Sequence, residues 1–192
     1  MIMKTQTLQK IKGYAYDKFS CYKGCQHGLD HALRVVNNAK RMVKILKVEK
    51  RIDVNLLYAS CWLHDIAVID KNNNVISSLY FHFFESSINK KHIRRVLERF
   101  PLSKSEFHTI ANAIINHPHS IPYRSLNRNG DIYLKILQDA DSFDYISDER
   151  LKSFNHKRKY LAPVSNLYVH LVKKNLKYFL NYPELAKYID RF

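Results

Sequence analysis

Leu56-Leu57-Tyr58-Ala59-Ser60-Cys61-Trp62-Leu63-His64-Asp65 is apolar nearly all round and closes on a histidine–aspartate doublet. It holds no glycine, proline or charge before the doublet, and Asp53 ahead of it is a good N-cap. Together these predict a helix from Val54 to about Asp65. A helix without a polar face belongs at the centre of a core. A polar, charged pair at its end must be paired or liganded, because an isolated buried carboxylate is costly.

Helical periodicity extends to both sides. Leu8, Ile11, Tyr14, Ala15 and Phe19 recur at helical spacing, which predicts a helix from Thr5 to Phe19. Lys23 to Gly28 breaks it. A second helix runs from about Leu29 to Lys47, with Ala32, Val35, Val36, Ala39, Met42, Val43 and Leu46 inward. Lys71-Asn72-Asn73-Asn74 reads as a loop, and Ser86 to Arg99 as an amphipathic helix stopped by Pro101. Ser103-Lys104-Ser105-Glu106 has the form of a capping box opening a helix to about Asn116. His117-Pro118-His119 cannot continue that helix. Another helix, from about Asp131, carries the acidic cluster Asp139-Ala140-Asp141-Ser142-Phe143-Asp144. The last third reads as helical from Val164 to Leu180 and from Pro183 to Ile189. Only four glycines and five prolines leave little material for hairpins, so the expected fold class is all-α.

The chain has 192 residues, 46% of them apolar, enough for one domain around a single core. A formal net charge of +15 attracts polyanions such as nucleotides, nucleic acid or acidic surfaces, although it also suits a basic surface with no specific partner. Three cysteines cannot close a disulfide framework; Cys61 reads as a small core residue, and Cys21 and Cys25 lack a second pair for a zinc finger. With no signal-like N-terminus and no long uncharged apolar run, the expectation is a soluble cytoplasmic protein that does not engage a membrane.

His31, the His64-Asp65 doublet and the acidic cluster lie on three separate predicted helices. Two imidazoles with two carboxylates form a mixed donor set suited to a divalent cation and to hydrolysis by a metal-activated water. Mn, Fe, Ni and Co tolerate that mixture, whereas Mg prefers oxygen. Taken alone, the doublet could be a satisfied core histidine beside a helix-end carboxylate; the company of His31 and the aspartates favours the cation. Arg34, one turn after His31, can reach a phosphate from the same face, or stand as a surface cation. His117 and His119 flank a proline, and one of them, His117 first, can supply a proton. Asp70 is a further candidate base. His27 reads as an exposed histidine beside a glycine turn, with lining the site as the alternative.

This arrangement resembles the HD superfamily of metal-dependent phosphohydrolases, in particular its small bacterial single-domain branch. The likeness includes His27 to Val35 with Asn37-Asn38-Ala39-Lys40, Trp62 to Ala67, Glu85-Ser86-Ser87, Ile114 to His117 with Ser120, and Ile136 to Asp144. It covers roughly residues 20–160 of a chain read as one HD-type helical domain over 1–192. The resemblance implies His31, His64, Asp65 and Asp141 as metal ligands, Asp141 being the second aspartate of the Asp-x-Asp pair. Asp139 and Asp144 are left to stabilise helices or to orient imidazoles or basic side chains. One divalent ion (Mn, Mg, Ni, Fe or Co) is expected rather than two; His117 would serve a second, as in binuclear members. The branch usually carries a His-Asp pair followed by aromatics where this chain has Gly28 and Asp30, which alters the pocket wall.

The expected activity is cleavage of a phosphate ester or pyrophosphate bond in a small phosphorylated substrate, a nucleotide. Asp65 would orient the water, His117 supply a proton, and Arg34 with Lys90-Lys91 and Arg94-Arg95 neutralise the phosphate. The rival from another class is a basic helical nucleotide- or nucleic-acid-binding domain with a non-catalytic metal site. Its support is the charge, with Tyr123, Tyr133, Tyr145 and Tyr160 available to stack bases. An HD-type oxygenase with two irons finds no assignable pattern.

Overall fold

Asp53 opens the helix around which the others pack. In the computed structural model, which describes residues 2–21, 27–69, 90–118, 126, 129–157 and 159–192, its carboxylate accepts the Asn55 N–H at 2.9 Å and caps α3 (Val54–Leu63). The Asp53 N–H in turn donates to the Tyr133 hydroxyl at 2.9 Å. Leu57, Ala59, Cys61 and Leu63 have no exposed surface, and the Ser60 hydroxyl is satisfied by the Leu56 carbonyl at 2.9 Å. Each large apolar side chain buried this way contributes about 1.5–3 kcal/mol. As its unbroken apolar surface predicts, α3 touches helices on every side: α1 (Thr5–Ser20), α2 (Leu29–Leu46), α6 (Lys104–Asn116) and α7 (Ile132–Tyr145).

Helix α2 lies along α7, burying Val35, Val36, Ala39, Met42 and Val43, and the buried Asn38 amide donates to the Ala140 carbonyl at 3.1 Å. Lys47 ends α2 in the left-handed region (φ 55°), letting Val48 N–H reach the Val43 carbonyl. The capping box is present at α6: Ser103 N–H donates to Glu106 at 2.7 Å and Glu106 N–H to Ser103 Oγ at 3.3 Å. Asp131 caps α7 by accepting the Leu134 N–H at 2.8 Å. Among the described residues every regular element is helical, and the all-α expectation stands. None of these helices is long and apolar enough to cross a membrane.

Three expectations change. Helix α3 stops at Leu63, not Asp65; His64 is its C-cap, and a short α4 (Ile66–Ile69) restarts the chain beyond the doublet. The helix expected over 164–180 is α9 (Ala162–Lys174), ended where the Asn175 side chain caps the Leu171 carbonyl at 2.9 Å. Single-turn and longer 3-10 segments, Leu176–Tyr178 and Pro183–Arg191, follow it. Helix α8 (Asp148–Lys157) was not anticipated, because its polar sequence carries no apolar stripe. Helical turns over 90–97 (α5) match the later part of the helix read from Ser86. The loop at 71–74, the start of that helix, Cys25, Asp70, His119 and Tyr123 lie outside the described residues.

Candidate metal centre

Two helices end, and one begins, against a shared cluster of rings. His64 caps the C-terminus of α3 and His117 that of α6. Each donates its Nδ1–H to a last-turn carbonyl three residues back, His64 to Cys61 at 2.8 Å and His117 to Ile114 at 2.7 Å. His31, in the first turn of α2, donates its Nδ1–H to the buried Asp144 carboxylate at 2.6 Å. These bonds fix the tautomers, so that His31 and His64 present Nε2 lone pairs inward.

The two Nε2 atoms face each other at 2.9 Å. Asp65 Oδ2 stands 3.0 Å from the first and 3.3 Å from the second, and Asp141 Oδ1 is 3.4 Å from His31 Nε2. Four acceptors converge there with no donor among them, an arrangement that a positive charge must complete. Imidazole nitrogen with carboxylate oxygen is the donor chemistry of a divalent transition metal, so the residues present fit one. Three overlapping trios bring ligand atoms within 4.8 Å of one another: His27, His31 and Asp65; His31, His64 and Asp141; His64, Asp65 and His117.

Electrostatics follow the same demand. Burial pulls His64 down, but the Asp65 and Asp141 carboxylates outweigh it and hold the imidazole at about 9, so without metal a proton fills the charge deficit. Burial alone would raise Asp65; the charges of His64 and His27 and the hydrogen bond from His27 outweigh it and hold it well below the usual carboxylate range. Burial, with the His64 charge beside it, pushes His117 down to about 4, leaving a neutral ring near neutral pH.

Every metal-ligand candidate from the sequence meets here. Asp141, and not Asp139, faces the histidines. At about 100° per residue, Asp139 points to the far side of α7. There it accepts Asn181 N–H at 2.8 Å and Tyr182 N–H at 2.9 Å, and burial pushes it up to about 7 against those bonds. His117 stacks edge-on to His64, ring centroids 5.2 Å apart. Arg34 is no loose surface cation: its Nε donates to Asp144 Oδ1. His27 is not idle beside its glycine either, since its Nδ1 lies 2.6 Å from Asp65 Oδ2 with the ring about a third exposed. Lys90, Lys91, Arg94 and Arg95 are exposed on α5. Of the tyrosines, Tyr133 packs on the core, while Tyr145 and Tyr160 are exposed.

Arg150 on α8 escaped the sequence reading. Its Nη1 donates to Asp144 Oδ2 at 3.1 Å and lies 4.0 Å from Asp141 Oδ1. No motif marks it, since it follows the acidic cluster across a turn in a stretch without hydrophobic period.

The HD domain family model matches residues 28–146, more than half of the chain. This chain belongs to the HD domain family. The HD family is one of metal-dependent phosphohydrolases, and the His/Asp groups gathered here could hold a divalent ion of the kind that HD domains bind. A solved structure similar to this one is a Lactobacillus plantarum protein from structural genomics, 23% identical with a TM-score of 0.55 over 83% of this chain. That likeness speaks for the fold, and the HD chain spans 66% of that protein's length, just under two thirds. No curated protein matches.

Proposed function

We propose that this HD-family chain is a phosphohydrolase acting on a small phosphorylated substrate, a nucleotide, with His31, His64, Asp65 and Asp141 holding its cation. The observation that carries this reading is the pair of inward Nε2 atoms 2.9 Å apart beside two carboxylates. A divalent ion bound there supplies acidification of a water and polarisation of a phosphoryl oxygen. Asp65, with an oxygen close to both histidines, would accept a hydrogen bond from the attacking water and aim it. His27 holds that carboxylate in orientation through its Nδ1. Arg34, anchored on Asp144, keeps further N–H groups for the charge that builds on the phosphoryl oxygens. His117, neutral near pH 7, suits a ligand to a second ion or an acceptor better than an acid. The net charge of +15 favours anionic substrates.

The test is metal content and turnover of protein loaded with Mn, Ni or Co, on a generic phosphatase substrate and a nucleotide panel. His64→Ala and Asp65→Ala should each lose the bound metal and the turnover. If both variants retain metal and rate, or if wild type binds nucleotides without hydrolysing any, the binding-module alternative replaces the enzyme.

A further inference from the structure

Asp144 is countered by more positive charge than one carboxylate requires. The group is fully buried, and its Oδ2 accepts from His31 Nδ1 at 2.6 Å and Arg150 Nη1 at 3.1 Å while its Oδ1 accepts from Arg34 Nε. The imidazole N–H and one guanidinium would satisfy it; the second guanidinium is shared with Asp141, 4.0 Å from Arg150 Nη1, and both arginines keep donors beside the centre. Arg34 retains its Nη1 donors, and Arg150 its Nε and Nη2 donors, for another acceptor. Arg150 is also stiffened against the Tyr145 ring, its guanidinium carbon 5.4 Å from the ring centroid. Two forks held on one rigid carboxylate are pre-organised for a phosphate, which accepts several such bonds at once.

Exposure gives the site a floor and a rim. His31, His64, Asp65 and Asp144 are buried, whereas the side chains of Arg34, Asp141 and Arg150 are 30%, 23% and 11% exposed. A ligand entering from solvent therefore meets the two arginines and Asp141 together, with Arg150 only 4.0 Å from the Asp141 carboxylate. A phosphoryl group beside Asp141 would leave the next phosphate of the same chain at the guanidiniums. Helix α8, which carries Arg150, begins just after the residues that the family model matches.

We propose that Arg34 and Arg150, clamped on Asp144, form a subsite for a second phosphate, and that the substrate is a phosphoanhydride such as a nucleoside di- or triphosphate, not a phosphomonoester. This deepens the phosphohydrolase reading and rests on it.

The experiment has a binding arm and a turnover arm. In the first, metal-free protein is titrated calorimetrically with inorganic pyrophosphate and with orthophosphate. Wild type should bind pyrophosphate at least tenfold more tightly, and Arg150→Met should cut pyrophosphate affinity about 10- to 100-fold, the scale of a lost charge-assisted bond. Arg150→Lys, which keeps the charge without the fork, should fall between them, and a circular dichroism melt of each variant reports folding. Equal affinity for both anions in wild type overturns the subsite, as does an Arg150→Met loss shared equally between them, which would make Arg150 merely a support for Asp144. In the second arm, Mn-loaded protein is assayed on a nucleoside triphosphate and the matching monophosphate, where the preference for triphosphate should collapse in Arg150→Met. Arginine-dependent pyrophosphate binding without any turnover retains the subsite and removes the hydrolase reading; turnover with indifferent anion binding does the reverse.

Discussion

Replacing Asp144 by asparagine should damage fold and metal site together, and the size of the effect can be worked from its contacts. The carboxylate is fully buried and accepts from His31, Arg34 and Arg150 at once. An asparagine keeps one acceptor oxygen but turns an NH2 group toward a donor, leaving a guanidinium or the His31 Nδ1–H without an acceptor. Breaking a buried pair in this way costs about 3–5 kcal/mol. Arg34 is partly wet and recovers some solvation, so the lower end, about 3 kcal/mol, is the expected loss. For a chain of this length that corresponds to a drop of roughly 6–12 °C in melting temperature. Because Asp144 also sets the tautomer of His31, manganese affinity should fall about 10- to 100-fold. Thermal denaturation by circular dichroism and metal titration measure the two effects. A variant melting within about 2 °C of wild type, with manganese affinity intact, would refute the role given to the carboxylate.

Asp141→Asn and Asp139→Asn should separate the two faces of α7. The first should abolish metal loading with little change in the melt, while the second should keep metal and lose about 1–3 kcal/mol through donors left without an acceptor; paired metal analysis and denaturation distinguish them. Ser103→Ala should cost about 1 kcal/mol by removing one half of the capping box, without touching metal content. Burial and the Asp141 charge hold the Cys61 thiol above its ordinary pKa, so at pH 8 it stays protonated as well as hidden. Alkylation of native protein should label Cys21 and spare Cys61, and peptide mapping that finds Cys61 modified before unfolding would contradict the packing of α3. His27→Ala should weaken metal binding about tenfold by freeing the Asp65 carboxylate, read by competition with a chelating dye.

Much of this was legible in the sequence because apolar pattern and capping chemistry are local. The unbroken apolar surface of α3 marked the core, and Asp53, Ser103 with Glu106, and Asp131 marked helix starts through side chains that reach only a few residues. The convergence of His31, the doublet and Asp141 followed from residue types that need one another's company. Arg150 was not legible because only its bond to the buried Asp144 gives it a role, and His27 was read first as an exposed histidine, with lining the site as the alternative, because the contact that decides it spans 38 residues to Asp65. Polar helices such as α8 also leave no periodic trace when a buried carboxylate, and not a hydrophobic stripe, holds them in place.

The way α3 and α6 finish beside the opening turn of α2 also sorts charge without any side chain. Aligned peptide dipoles put about half a negative charge at each closing helix and half a positive charge at the opening one. The backbone thus makes one side of the cavity hospitable to cations and the other to anions. Neutralising single aspartates or arginines weakens the occupants' grip while leaving that polarity in place, so a metal–phosphate pair would still be oriented the same way round.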